Sequence, residues 1–287
     1  MPDLLLDPFA FAFMRNALYA GLLTVVASSL IGTWVVMRGM AFMGDALAHG
    51  VLPGIAVAYI FGGNLLLGGA ISAGVMIGGV TLASARSRLG DDTAIGLLFV
   101  GMLAAGVAII SRGGAYAGDL TTILFGDPIG VTSAHLRTVA IATLVTVVVT
   151  VALYRPFLVL SFSRAKAEVL GLRPGLAHLA MLALIATVII SSFRTVGTML
   201  VFAFIVAPPA TAALVSRRVP VMMGVAMLLG AVAVVTGLLV SFHLGTATAA
   251  TIAGLTVLMF FLVLAAKETA ARVRALRGRR DREPVAA

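Results

Sequence analysis

Long apolar stretches recur along almost the whole sequence, and they constrain the fold more than any other feature. A helix needs about 20 mostly apolar residues to cross a hydrocarbon core of roughly 30 Å. Nine stretches meet this criterion, near residues 12–36, 40–61, 65–85, 93–111, 136–154, 176–191, 195–215, 220–241 and 248–266. The sequence therefore predicts an all-α, polytopic transmembrane helical bundle in the cell's inner or plasma membrane. We expect eight to nine spans, eight if two of the shorter stretches form one broken helix.

The charged residues lie mostly between these stretches or in the C-terminal tail. Of the 20 Lys and Arg residues, sixteen fall in the tail and one set of alternating connections, and four fall in the other set. Because cytoplasmic loops are enriched in Lys and Arg, we expect the N-terminus outside and the C-terminus inside. The formal net charge of +9 then reflects membrane topology and contact with anionic lipid, and not nucleic-acid binding.

The sequence divides into a transmembrane domain, residues 1–267, and a basic cytoplasmic tail, residues 268–287. The tail reads ETAARVRALRGRRDREPVAA, which has too few large apolar residues to form a core. We expect it to be disordered. The alternative is an extension of the last helix that lies against anionic lipid.

One polar pair lies inside a predicted span. Asp45 is the only acidic residue well inside a span, and His49 is the only histidine equally deep. Residues four apart share a helix face, with Cβ atoms about 5–6 Å apart, so both side chains can bind one cation. A carboxylate near the bilayer centre costs about 2.5–3.5 kcal/mol on insertion scales, so it needs a partner, a watery cavity or a function. Because the chain has no cysteine, this pair favours zinc, manganese or ferrous iron over copper(I).

Other interpretations of the pair remain open from its spacing. Asp45 and His49 could pair only with each other, Asp45 could be protonated in an interhelical hydrogen bond, or the pair could relay protons. Two ligands are also too few for a metal ion, so water, other helices or a protein that delivers the ion would supply the rest. Pro53-Gly54 follows one turn later and frees backbone carbonyls where a polar cavity would need them, and the same two residues also fit a simple kink.

The energy source for transport is not encoded in this chain. It contains no GxxxxGK[ST] sequence, so it lacks a P-loop. We therefore expect no enzyme activity and no cofactor of its own, with ATP bound by a partner subunit. The alternative is a secondary, gradient-driven metal ion transporter, although such proteins usually carry several intramembrane charges.

Five segments resemble the membrane permease of bacterial ABC importers for zinc and manganese. They are GTWVVMRGMAFMGDALAHGVLPGIAVAY, DDTAIGLLF, LFGDPI, AEVLGL and GTMLVFAFIVAPPATAAL, in this order. The resemblance implies a homodimeric permease that moves a divalent ion, zinc or manganese and possibly iron, into the cytoplasm. It implies a cytoplasmic ABC ATPase and an extracellular or periplasmic metal-binding protein as partners. In that family the Asp and His of the first block are associated with the metal path, and they map onto Asp45 and His49.

The resemblance also covers a coupling segment and includes one departure. The residues Ala167, Glu168 and Gly171 resemble the short coupling helix that receives the push of the ATPase; an ordinary amphipathic surface turn is the alternative. At 244–252 the sequence LGTATAATI stands where the family more usually has L-D-x-P-x-G-A-T-I. The missing acidic residue and proline put in doubt a role of this outer turn in admitting metal, and His243 beside it is a weaker candidate ligand.

Overall fold

The computed structural model describes residues 7–86, 91–111, 126 and 130–280, and within these ranges every regular element is helical. A short 3₁₀ turn, Asp7–Ala10, precedes the helices. The helices are α1 (Ala12–Met37), α2 (Ala41–Gly50), α3 (Leu52–Ile60), α4 (Leu65–Arg86), α5 (Asp91–Ser111), α6 (Ser133–Ala152), α7 (Tyr154–Phe162), α8 (Arg164–Val169), α9 (Pro174–Val215), α10 (Val219–Leu244) and α11 (Thr248–Arg280). Of the LFGDPI segment, only Gly126 lies among the described residues.

Nine segments of the described chain are long and apolar enough to cross a membrane. Helices α2 and α3 together form one of them, Ala41–Ile60, and α9 contains two, Pro174–Phe193 and Thr195–Val215. Helices α1, α4, α5, α6, α10 and α11 contribute one each. The predicted all-α bundle is therefore confirmed, with the higher of the two predicted numbers of spans.

Helix α1 lies at the centre of the bundle, where it packs against α6, α9 and α10. Its Trp34 is fully buried and meets the rings of Tyr154 and Phe157 edge-on, with centroid distances of 5.4 and 5.8 Å. At Gly32 a Cβ atom would collide with the carbonyl oxygen of Ile205. The absence of a side chain at this position lets the backbones of α1 and α9 touch, as small residues do between membrane helices.

Helix α9 reverses its direction along α1 at Gly197. In its first arm His178 contacts Arg38 just beyond the end of α1, and Ser192 accepts a 3.2 Å hydrogen bond from Thr24 near the middle of α1. After the reversal the second arm descends again, with Ile205 beside Gly32. Gly197 has φ 77° and ψ 156°, a conformation that is essentially restricted to glycine. The two arms are thus separate spans that form a hairpin.

The second span is broken beside the polar pair. Helix α2 ends at Gly50 and α3 begins at Leu52, with Pro53 in its first turn. Pro53 has no N–H to donate to the carbonyl of His49, four residues earlier. The predicted break therefore leaves the His49 carbonyl without its usual helical donor.

The connections 38–40, 153–173 and 216–218 lie at one end of the bundle, which we call the inner end because the charge distribution predicts it to be cytoplasmic. Helix α11 leaves the bundle and runs to Arg280, so residues 268–280 are helical. Residues 281–287 lie outside the described part, and the predicted disorder of the tail and its alternative, a helix extension against anionic lipid, both stay predictions. The division at residue 267 and the orientation of the chain stay predictions.

Candidate metal site

Asp45 and His49 face each other on α2, as their spacing predicts. The distance from His49 Nε2 to Asp45 Oδ1 is 3.7 Å, and the side chains are 25% and 29% exposed, respectively. A distance of 3.7 Å is too long for a hydrogen bond. The two groups therefore lie in contact without satisfying each other, and a cation can reach both.

The spacing of the two atoms fits one bridging ion. Zinc binds imidazole nitrogen at about 2.0–2.1 Å and carboxylate oxygen at about 2.0–2.2 Å, so one ion holds two such atoms no more than about 4.2 Å apart. The observed 3.7 Å lies within that limit and corresponds to an angle of about 120° at the ion. Imidazole and carboxylate are ligands that manganese and ferrous iron accept as well.

Among the described residues, Asp45 and His49 have no third His, Asp or Glu side chain beside them. No group of three or more His, Asp or Glu side chains among them comes close enough to hold a metal ion. Water, a second protein chain or the protein that delivers the ion would have to complete the coordination. An incomplete ligand set suits a transported ion, which must bind and then leave.

The ring of Phe99 forms one wall of the site. It meets the His49 ring edge-on, with centroids 5.5 Å apart, and its centroid is 6.0 Å from that of Phe42 on α2. His49 Nδ1 is buried and has no hydrogen-bond partner among the described residues. When Nε2 binds a metal, the proton of a neutral imidazole lies on Nδ1. That proton has no acceptor among the residues that the structure describes.

His243 lies apart from this pair. It is near the end of α10, it is exposed, and its Nδ1 is 2.8 Å from the carbonyl oxygen of Leu239 in its own helix. Since no group of three candidate ligands forms within the described chain, the structure does not bring His243 to Asp45 and His49. The metal role predicted for His243 is therefore separate from the one predicted for Asp45 and His49.

The predicted coupling segment forms the short helix α8 at the inner end. Ser163 caps it by accepting a 3.3 Å hydrogen bond from the N–H of Lys166, and Gly171, with φ +69°, ends it. Ala167 is fully buried, so its side chain anchors the helix to the bundle and does not face outward. The opposite side is open, with the Glu168 side chain 60% exposed and Val169 88% exposed.

The comparisons with known proteins identify the family. Residues 10–267 match the ABC 3 transport family. The chain belongs to that family.

Two curated relatives of this ABC 3 family chain carry names that refer to metals. It is 33% identical over 252 residues to the "Manganese transport system membrane protein MntC" of Listeria monocytogenes, covering 88% of this chain and 90% of that protein. It is 34% identical over 265 residues to the "Probable iron transport system membrane protein" of Haemophilus influenzae, covering 92% and 97%. The resemblance that the sequence motifs indicated is thereby confirmed.

A solved structure shares the fold of this ABC 3 family chain. It is described as "PsaBC from Streptococcus pneumoniae in complex with Fab" and superimposes with a TM-score of 0.84 at 26% identity, covering 92% of this chain and 95% of that one. Family membership and the nine apolar helices make this chain a multi-pass protein of the cell membrane.

The sequence of this ABC 3 family chain predicted the pair Asp45 and His49 but not the Phe99 ring that lies against His49. Phe99 belongs to the DDTAIGLLF segment, which was used for the resemblance alone. Its contact with His49 depends on the packing of α5 against α2. No pattern within either segment indicates that contact.

Proposed function

We propose that this ABC 3 family chain is the membrane permease of an ATP-driven importer, and that Asp45 and His49 transiently bind the divalent transition metal ion it carries. The ion belongs to the group of manganese, iron and zinc. The names of the relatives support manganese and iron, and the ligand types accommodate zinc equally well. The chain acts as a translocation subunit, and a partner hydrolyses ATP.

The observation that supports this most strongly is the geometry of the pair. A carboxylate and an imidazole lie 3.7 Å apart without a hydrogen bond between them, and His49 is near the middle of the 20-residue span Ala41–Ile60, with Asp45 one turn closer to its start. Transporters place their substrate sites near the bilayer midplane, often where a helix is discontinuous. The break at Pro53 meets the second condition.

The partial exposure of the pair supports a dimer. Ionisable side chains within membrane spans face protein or water and not lipid. Asp45 and His49 are 29% and 25% exposed on this single chain. A second copy that covers this face would exclude lipid and enclose the ion between two chains.

The inner end supports docking of an ATPase. Val169 and Leu170 at the end of α8 are 88% and 54% exposed, although both are apolar. Apolar side chains exposed next to charged ones are typical of protein-binding surfaces. We assign this surface to a cytoplasmic ABC ATPase and the opposite end of the bundle to an external metal-binding protein.

A secondary, gradient-driven transporter remains the competing function. It would use the same pair, but coupling to a gradient usually requires further intramembrane charges. Reconstituted uptake distinguishes the two functions. An importer driven by ATP stops when the ATPase subunit is removed, whereas a gradient-driven transporter continues and stops when the proton gradient is collapsed.

The ligand role is tested by replacing each side chain in the reconstituted complex. We expect Asp45→Ala and His49→Ala to abolish ATP-dependent metal uptake while the permease still co-purifies with its ATPase. His135→Ala is the matched control and should retain uptake, because His135 lies at the start of α6 and forms no ligand group with the pair. Full uptake by both Asp45→Ala and His49→Ala would contradict the proposal.

The transported ion is identified by competition. Uptake of radioactive manganese is measured with equal concentrations of unlabelled iron(II) or zinc present. The ion that suppresses the signal most strongly, at the lowest concentration, is the preferred substrate. If none of the three is taken up, the proposed substrate group is wrong.

A further inference from the structure

A cavity at the inner end brings basic groups from three separate parts of the chain together. Its volume is about 580 Å³, and its wall includes Arg38, Arg164 and His178. Arg38 follows α1, Arg164 begins α8, and His178 lies in the first turns of α9. Phe42 and Met43, from the first turn of the metal-site helix α2, line the same space. The cavity therefore lies between the proposed ATPase-docking helix and the helix that carries Asp45 and His49.

Arg38 is held in this cavity by His178. Its Nη1 lies 2.9 Å from His178 Nδ1. Because a guanidinium group has only donors, Nδ1 must be the acceptor, and a neutral His178 then carries its proton on Nε2. The contact is a charge-assisted hydrogen bond, which is stronger than one between neutral groups.

The positive charge of Arg164 repels the Arg38 guanidinium group, which His178 holds by a hydrogen bond. The pKa of Arg38 is lowered, mainly because burial desolvates the guanidinium group and secondly because the Arg164 charge repels it. Arg164 also lies 3.5 Å from Glu168 within α8. A displacement of α8 therefore changes the distance between two like charges, one of which is fixed to α9 by a hydrogen bond.

The connection from Arg38 to α2 is short and well fixed. The N–H of Arg38 donates to Trp34 O at 3.1 Å, and the N–H of Met40 donates to Val35 O at 2.9 Å. Helix α2 then begins at Ala41. Only Gly39 and Met40 therefore separate Arg38 from the start of α2.

A chain of ring contacts continues from this point to the metal site. Phe42 lies on the cavity wall, its ring contacts Phe99, and Phe99 contacts His49. The path runs from Arg164 on α8 across the cavity to Arg38, and from there through α2 and the two phenylalanine rings to the imidazole.

We propose that Arg38, held by His178 and repelled by Arg164, is the positioning residue through which movement of α8 reorients the helix that carries Asp45 and His49. The inference rests on the proposed function and deepens it, because it assigns to these side chains the step that links ATP hydrolysis to opening of the metal site. The cavity provides the free volume in which Arg38 moves.

The test measures the number of ATP molecules hydrolysed per metal ion transported by the reconstituted complex. We expect Arg38→Gln and His178→Leu to raise this ratio roughly two- to thirtyfold, the range of typical coupling effects. Binding of manganese to the complex at rest, measured by equilibrium dialysis, should be unchanged. The conservative variant His178→Gln keeps an acceptor for Arg38 and should restore most of the coupling.

Two further measurements make the test decisive. Arg217→Gln removes an exposed positive charge at the same end and should leave the ratio unchanged. The double variant Arg38→Gln/Arg164→Gln should have the same ratio as Arg38→Gln alone, because repulsion needs both charges and is already lost in the single variant. A further rise in the double variant would show that Arg164 acts independently of Arg38 and would overturn its part in the proposal.

The outcomes separate this inference from the proposed function. Wild-type ratios in both Arg38→Gln and His178→Leu would overturn the role of Arg38 and leave the metal site intact. If Arg38→Gln does not assemble with the ATPase, the comparison of His178→Leu with His178→Gln decides. Equal numbers of ATP molecules hydrolysed per metal ion in these two variants would overturn the inference. Asp45→Asn in the same assay tests the metal site alone. Metal uptake at the wild-type rate by this variant would overturn the proposed function.

Discussion

At the scale of single residues, local spacing predicted what lies within one helix and nothing beyond it. Asp45 and His49 meet because residues four apart share a helix face, and the structure places them in contact. The Phe99 ring beside His49 comes from another helix. Its position follows from packing between α2 and α5, which no periodicity within either segment encodes.

The contact between Phe99 and His49 leads to a residue-scale prediction. We expect Phe99→Ala to raise the KM for metal uptake by about two- to tenfold, because an aromatic pair contributes about 0.5–1.5 kcal/mol to the orientation of its rings. Phe261→Ala, at an exposed position on α11, is the matched control. An unchanged KM in Phe99→Ala would show that the imidazole is oriented without this ring.

At the scale of elements, apolar runs predicted where the helices lie but not how α9 is shaped. The sequence separated stretches 176–191 and 195–215, and the structure joins them as two arms that reverse at Gly197. The chain contains 31 glycines, and nothing local marks this one as the position of a positive φ. The reversal is determined by the packing of both arms against α1.

The reversal gives a stability prediction for α9. Gly197→Ala should destabilise the protein by about 1–3 kcal/mol, because its conformation is sparsely populated by residues with a Cβ atom. Gly175→Ala is the control in the same helix, since a Cβ there meets nothing within 4 Å and its φ is ordinary. Thermal unfolding in detergent measures both, and equal midpoints would contradict the expectation.

The exposed side of α8 gives a second prediction at this scale. We expect Glu168→Trp to reduce ATP-dependent uptake while metal binding at rest is unchanged, because a bulky side chain there separates the ATPase from the helix. Leu244→Trp, which is 71% exposed at the opposite end of the bundle, should leave coupling to the ATPase intact. Normal uptake by Glu168→Trp would remove α8 from the docking surface.

At the scale of the whole molecule, the number of spans and the helical class were predictable because each follows from length and apolar content alone. The arrangement of the spans around α1 was not predictable in this way. It depends on close backbone contacts such as that between Gly32 and Ile205, which involve residues far apart in sequence. The orientation in the membrane rests on the distribution of Lys and Arg.

The orientation can be measured directly because the chain has no cysteine. Arg217→Cys and Thr246→Cys introduce single thiols at exposed positions at opposite ends of α10. A membrane-impermeant maleimide added to intact cells should label Thr246→Cys and should label Arg217→Cys only after the membrane is permeabilised. The reverse pattern would invert the topology and move the proposed ATPase surface outside the cell.

The hairpin of α9 also constrains biogenesis. The two arms are joined only by the short polar segment SSFRT, residues 191–195, and the turn at Gly197, so very little chain has to cross the membrane between them. We therefore expect both arms to exit laterally into the bilayer as one unit. A chain truncated between the two arms should remain incompletely inserted, and we expect quality-control proteases to degrade it.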